Sequence, residues 1–177
     1  MFVLGIDPGL SRCGYGCVHK TAGRSRAVSA GVLATPPADP LPVRLAALAR
    51  DLTDLLDELA PQVVVVERVL FQVNARTAMA TGQASGLALA TAAQHGCEVV
   101  QYSPNEVKLA VAGHGGAGKA QVQRMVQVLL DLAVVPSPPD VADALALALC
   151  HIAMAPLTAA AARASRVGTD PAPGRAP

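Results

Sequence analysis

MFVLGIDPGLSRCGYG, residues 1–16, decides how the rest of the chain is read. Residues 2–6 are apolar apart from Gly5, as in a buried strand, yet the run ends on the carboxylate of Asp7, followed at once by Pro8 and Gly9. A bare carboxylate in a dry interior protonates or recruits a counter-charge, because desolvating the ion costs several kcal/mol even after its surroundings relax. The partner of Asp7 must therefore come from elsewhere in the chain.

Outward from this stretch, the spacing predicts a three-strand meander over residues 2–7, about 14–20 and about 27–34. Prolines 36, 37, 40 and 42 break the sheet, and RLAALARDLTDLLDELA places Leu45, Leu48, Leu52, Leu55, Leu56 and Leu59 at helical intervals. The opposite face of that helix carries Asp51, Asp54, Asp57 and Glu58, a row read as solvated. Pro61 ends it. QVVVVER then runs without alternation, as a central strand covered on both faces requires, and it too ends on an acid, Glu67. Residues 74–95 read as a helix rich in small residues and CEVVQYS as another strand. Further helices are expected over about 105–111, 119–132 and 140–154. Hairpin strands followed by alternating helix and strand define an α/β domain with a mixed central sheet flanked by helices, over residues 1–155. Residues 156–177, rich in proline and arginine, are expected to form a loose tail.

The totals bound the function only loosely. A chain of 177 residues, 52% hydrophobic and 15% charged, has enough apolar material for one packed domain without disulfide staples. A net charge of +1 excludes no class of partner. Cys13, Cys17, Cys97 and Cys150 form no CxxC pair, so they read as reduced, mostly buried thiols rather than zinc ligands with His19 or His151. The first apolar run is too short for a signal peptide. Residues 141–161 are interrupted by Asp143, His151 and Pro156, which argues against a membrane span. A cytoplasmic protein is expected.

Parallel neighbouring strands would bring Asp7 and Glu67 to one edge of the sheet. PPDVADALALALCH supplies two more acids: Asp140 at a helix start and Asp143 three residues on, both able to project from the first turn. Taken alone, this pair reads equally as a helix cap. Four carboxylates with no Cys or His set beside them suit hard, oxygen-preferring ions, magnesium or manganese. Two such ions about 4 Å apart suit in-line phosphodiester hydrolysis, one activating water and the other stabilising the leaving oxygen.

With these residues in place, the chain resembles the RuvC family of Holliday-junction resolvases. The resemblance rests on LGIDPGLSRCGYG, VVVVERVLFQVNARTAMATGQASG, SPNEVKLAVAGHGGAGKAQVQRMV and PPDVADALALALCH, spanning residues 3 to about 151 in family order. It implies an RNase H-like fold with Asp7, Glu67, Asp140 and Asp143 as the catalytic, metal-binding set. It implies a homodimer that nicks a four-way DNA junction symmetrically, leaving 5′-phosphate and 3′-hydroxyl ends, with RuvA and RuvB as branch-migration partners. Lys108 and Lys119 match family lysines that face the DNA backbone, where contacts supply salt-dependent affinity. Where the family usually carries an aromatic three residues after the glutamate, this chain has Leu70, with Phe71 next; either is a candidate wedge at the junction centre. The helix after Asn74 resembles the family's dimer helix, with Gly82 and Gly86 four apart for close backbone approach.

Competing readings remain open at this level. GHGGAGKA, residues 113–120, nearly matches a phosphate loop preceded by LAVA as a strand, but Ala120 stands where the magnesium-binding hydroxyl belongs. The opening stretch also resembles the phosphate hairpin of actin-like ATPases, which need two such domains. An RNase H-like nuclease acting on structured RNA and a non-catalytic junction-binding module complete the alternatives.

Overall fold

The computed structural model describes residues 1–69 and 75–167, the latter without the side chains of 75–77 and 157–167. Leu70 and Phe71 therefore lie outside the described residues, as do residues 168–177.

The meander is present as β1 (Phe2–Asp7), β2 (Arg12–Thr21) and β3 (Arg24–Ala34). Helix α1 (Leu41–Leu59) leads to β4 (Val63–Glu67), α2 (Ala75–Gln94) to β5 (Glu98–Tyr102), and α3 (Pro104–Ala112), α4 (Lys119–Leu129) and α5 (Pro139–Val167) follow. The five strands lie in the order β3-β2-β1-β4-β5. β1 runs antiparallel to β2 and parallel to β4, and β4 runs parallel to β5.

The valine run of β4 shows why the sheet needs cover on both sides. Successive side chains point to opposite faces: Val63 and Val65 join the core beneath α3, α4 and α5, while Val64 and Val66 join Leu48, Leu52, Leu55 and Leu56 of α1 and the small residues of α2. All four valines are buried. α1 ends where Ala60 takes a left-handed conformation, φ 41°, ahead of Pro61. α3 starts with a full capping box, in which Ser103 Oγ accepts from the Glu106 amide while Glu106 Oε2 accepts from the Ser103 amide at 2.7 Å.

Three glycines explain how α5 crosses the sheet. A Cβ on Gly5 would overlap the Ala144 carbonyl, one on Gly14 the Asp140 carbonyl, and one on Gly16 would lie 2.7 Å from Leu145 Cγ. Without side chains there, the first turns of α5 rest directly on β1 and β2, and Ala142, Ala144, Leu145 and Ala148 are buried. α5 is apolar and long enough over Pro139–Pro156 to cross a membrane by length and composition, and here it is the core helix of the sheet.

Two sequence readings shift. The helix expected over 140–154 continues through Pro156 to Val167: proline removes one backbone hydrogen bond, and the alanine-rich run beyond it favours helix strongly enough to continue. The LAVA segment before GHGGAGKA belongs to α3 rather than a strand, so the loop at 113–118 joins two helices and lacks the strand that a phosphate loop requires.

Candidate active site

Asp7 closes β1, and Glu67 closes its parallel neighbour β4, one step beyond the Ile6–Val66 pair, so both acids reach the same edge of the sheet. Asp7 is the cross-strand partner of Gly14 in β2, the glycine over which the Asp140 backbone lies. The approach of α5 to the sheet thus brings the fourth segment to the first. Pro139, not Asp140, is the first helical residue; Asp140 lies within the first turn and Asp143 three residues deeper, so the pair does not form the cap-and-N3 arrangement.

Asp7, Glu67 and Asp143 line one cavity of about 460 Å³, together with Lys108 of α3 and Lys119, the first residue of α4. Asp140 is not among the cavity's lining residues, but its charge acts on Asp7. Lys119 Nζ lies 2.7 Å from Asp143 Oδ2, and Arg12 Nη2 donates to Asp140 Oδ2 at 2.8 Å with Arg12 Nε at 3.3 Å. Arg12 carries no sequence signal as a site residue; only its position at the start of β2, facing the helix over Gly14, reveals it. Arg68, next to Glu67 in the chain, pairs elsewhere, with Glu106 at 3.9 Å and the Gln101 carbonyl at 3.2 Å.

The electrostatics record a site short of positive charge. Burial pushes the Asp7 carboxyl up to about 7, and Glu67, Asp143 and Asp140 push in the same direction against Lys119. Glu67 is raised as well, by burial first and then by Asp143, with Lys119 and Lys108 opposing. Asp140 is held low, chiefly by its hydrogen bond from Arg12. The Lys119 ammonium is held more firmly protonated by its hydrogen bond to Asp143. Cys13 is buried close enough to feel the charges of Asp7 and Asp140, and burial pushes its thiol up to about 11, as expected of a core thiol.

Among the described residues, no three His, Cys, Asp or Glu side chains form a ready-made metal cage. Asp140 and Asp143 are instead engaged by Arg12 and Lys119. The donor chemistry fits a hard divalent ion: every candidate ligand is a carboxylate, and the raised Asp7 and Glu67 mark negative charge that the two internal cations leave uncompensated.

A mixed sheet of this order, with acids at the ends of two adjacent parallel strands and more on the helix crossing them, defines an RNase H-like nuclease. Residues 3–151 match the family described as crossover junction endodeoxyribonuclease RuvC. The chain is 51% identical over 173 residues to the RuvC of Salinispora arenicola, covering 95% of this chain and 99% of that one. It is 48% identical over 156 residues to the RuvC of Moorella thermoacetica, covering 88% and 93%. The solved structure of T. thermophilus RuvC in complex with Holliday junction substrate superposes with a TM-score of 0.84 at 37% identity, covering 89% of this chain and 96% of that one. The chain belongs to the RuvC family of crossover junction endodeoxyribonucleases, which are metal-dependent nucleases.

Proposed function

We propose that the chain resolves four-way (Holliday) DNA junctions as a homodimer, with Asp7, Glu67, Asp140 and Asp143 holding two magnesium or manganese ions at each active site. The observation that carries this reading is the sharing of one cavity by Asp7, Glu67, Asp143, Lys108 and Lys119. Ions bound by these carboxylates would supply Lewis-acid activation of water and charge neutralisation at the scissile phosphate. The chain's own residues do the rest. Lys108 and Lys119 draw the DNA backbone over the acids, and Lys119 holds Asp143 in place until ligand arrives. Arg12 does the same for Asp140. Val107, Val122, Ala146 and Leu147 give the cavity an apolar lining that limits competing water.

Two coordinated cuts require two such sites. α2 offers a face for a second copy: Met79 is 65% exposed, and a Cβ built on Gly82 or Gly86 meets nothing within 4 Å. Those glycines are therefore not spent on packing within the monomer. The paired nicks would leave 5′-phosphate and 3′-hydroxyl ends open to ligation. In this reading the protein works in the cytoplasm with RuvA and RuvB, and Leu70 or Phe71 enters the junction centre as an apolar wedge.

The test is incubation of the purified chain with a mobile four-way junction, a matched duplex and a structured RNA, each with magnesium or manganese. Paired, religatable nicks confined to the junction are expected. Faster cutting of the RNA would favour the other nuclease reading, and tight junction binding without cutting would favour a binding module.

A further inference from the structure

The acids sit at an edge of the sheet that has two sides. Lys108 and Lys119 serve the side covered by α3, α4 and α5. On the other side, the loop from Asp7 to β2 meets α1 and α2 around a second cavity of about 280 Å³, lined by Ser11, Arg12, Arg44, Ala80 and Thr81. Its two cations differ in how they are satisfied. Arg12 is neutralised by Asp140. Arg44 is half-buried and meets no carboxylate among the described residues. Its Nε donates to Thr35 Oγ1 at 3.0 Å and its Nη2 to Ser11 Oγ at 2.6 Å, while Thr35 Oγ1 donates to the Leu10 carbonyl at 2.6 Å. Both acceptors are neutral hydroxyls, so the guanidinium is oriented but its charge is uncompensated. A fixed, half-buried guanidinium with donors to spare is the arrangement that receives a planar or tetrahedral oxyanion.

Resting on the nuclease reading above, we infer that this cavity is a second phosphate subsite, in which Arg44, assisted by Arg12, grips a backbone phosphodiester of the DNA strand flanking the cut. The strand would then be held on both sides of the acids, by Lys108 and Lys119 on one and by Arg44 on the other. That fixes its path across the sheet edge and limits sliding of the scissile bond.

Junction binding is measured over a salt series, without divalent ions, for the wild type, Arg44→Gln, Arg44→Lys and Ser11→Ala. Arg44→Gln is expected to lower the magnitude of the slope of log affinity against log salt by about 0.9, the value for one phosphate contact. Arg44→Lys keeps the charge and should keep the slope; Ser11→Ala removes a strut without removing charge and should also keep it. A folded Arg44→Gln with the wild-type slope overturns the subsite and assigns Arg44 to loop support alone. Should Arg44→Gln fail to fold, phenylglyoxal labelling of the wild type decides: bound junction should shield Arg44 from modification. Equal labelling with and without junction, or no labelling in either state, overturns the inference. A wild type that does not bind junctions would instead sink the functional reading itself.

Discussion

Lys119 Nζ stands 2.7 Å from Asp143 Oδ2, so a cation from the start of α4 occupies the acid that α5 delivers to the sheet edge. The pair joins α4 to α5 within the cavity that Asp7 and Glu67 also line. In the proposed function, replacing Lys119 with alanine removes a phosphate contact and the acid's partner together. The expected result is weaker junction binding with a salt slope smaller in magnitude by about 0.9, measured by fluorescence anisotropy across ionic strength. An unchanged slope would remove Lys119 from the DNA interface.

Asp7→Asn should abolish cutting while leaving junction binding intact, and its stability should change in a way set by pH. The Asp7 carboxyl titrates near 7 in the folded chain, against an ordinary value of 3.8. Between those values the folded chain holds a proton that the unfolded chain has released. Its contribution is therefore greatest in acid and declines as pH rises towards 7. In mildly alkaline, metal-free buffer, Asp7→Asn should be more stable than the wild type by something on the order of 1–3 kcal/mol. Calorimetric melts should show the gap closing in acidic buffer, and closing again when magnesium is added to the wild type. A mutant that melts lower than the wild type in alkaline buffer would contradict the burial of an uncompensated anion.

Gly14→Ala tests how closely α5 must approach. The new Cβ would lie 2.8 Å from the Asp140 carbonyl carbon and 3.0 Å from Asp140 Cβ, both too close. The helix start must shift, at a cost of about 1–3 kcal/mol, and Asp140 shifts with it. Cutting should fall far more than junction binding does. Equal losses in the two assays would indicate general unfolding instead.

Gly86→Leu tests the proposed dimer. The site is open in the monomer, so the variant should fold with a thermal midpoint close to that of the wild type. A bulky side chain between two closely approaching helices should convert dimers to monomers in sedimentation, and the paired nicks to rare single ones. A dimeric variant that nicks in pairs would move the interface to another face.

Much of this was legible in one dimension because strand ends and helix starts are local events. The β-branched run of 63–66, ending on Glu67, announced a central strand and its terminal acid. The run before Asp7 did the same. Helix continuation past Pro156 was not legible, since a proline's effect depends on the helix propensity of the residues beyond it.

Unaided, the chain's order of residues determined which segments become strands and helices and which acids stand at their ends, since periodicity and turn chemistry act over a few residues. Folding alone decided that Arg12 would meet Asp140 across 128 positions, that Lys119 would take Asp143, and that Arg68 would choose Glu106 over Glu67. The reason is the range of the forces. Partners for buried charge are selected by proximity in space, and that proximity arises only when Gly5, Gly14 and Gly16 let α5 settle onto the sheet.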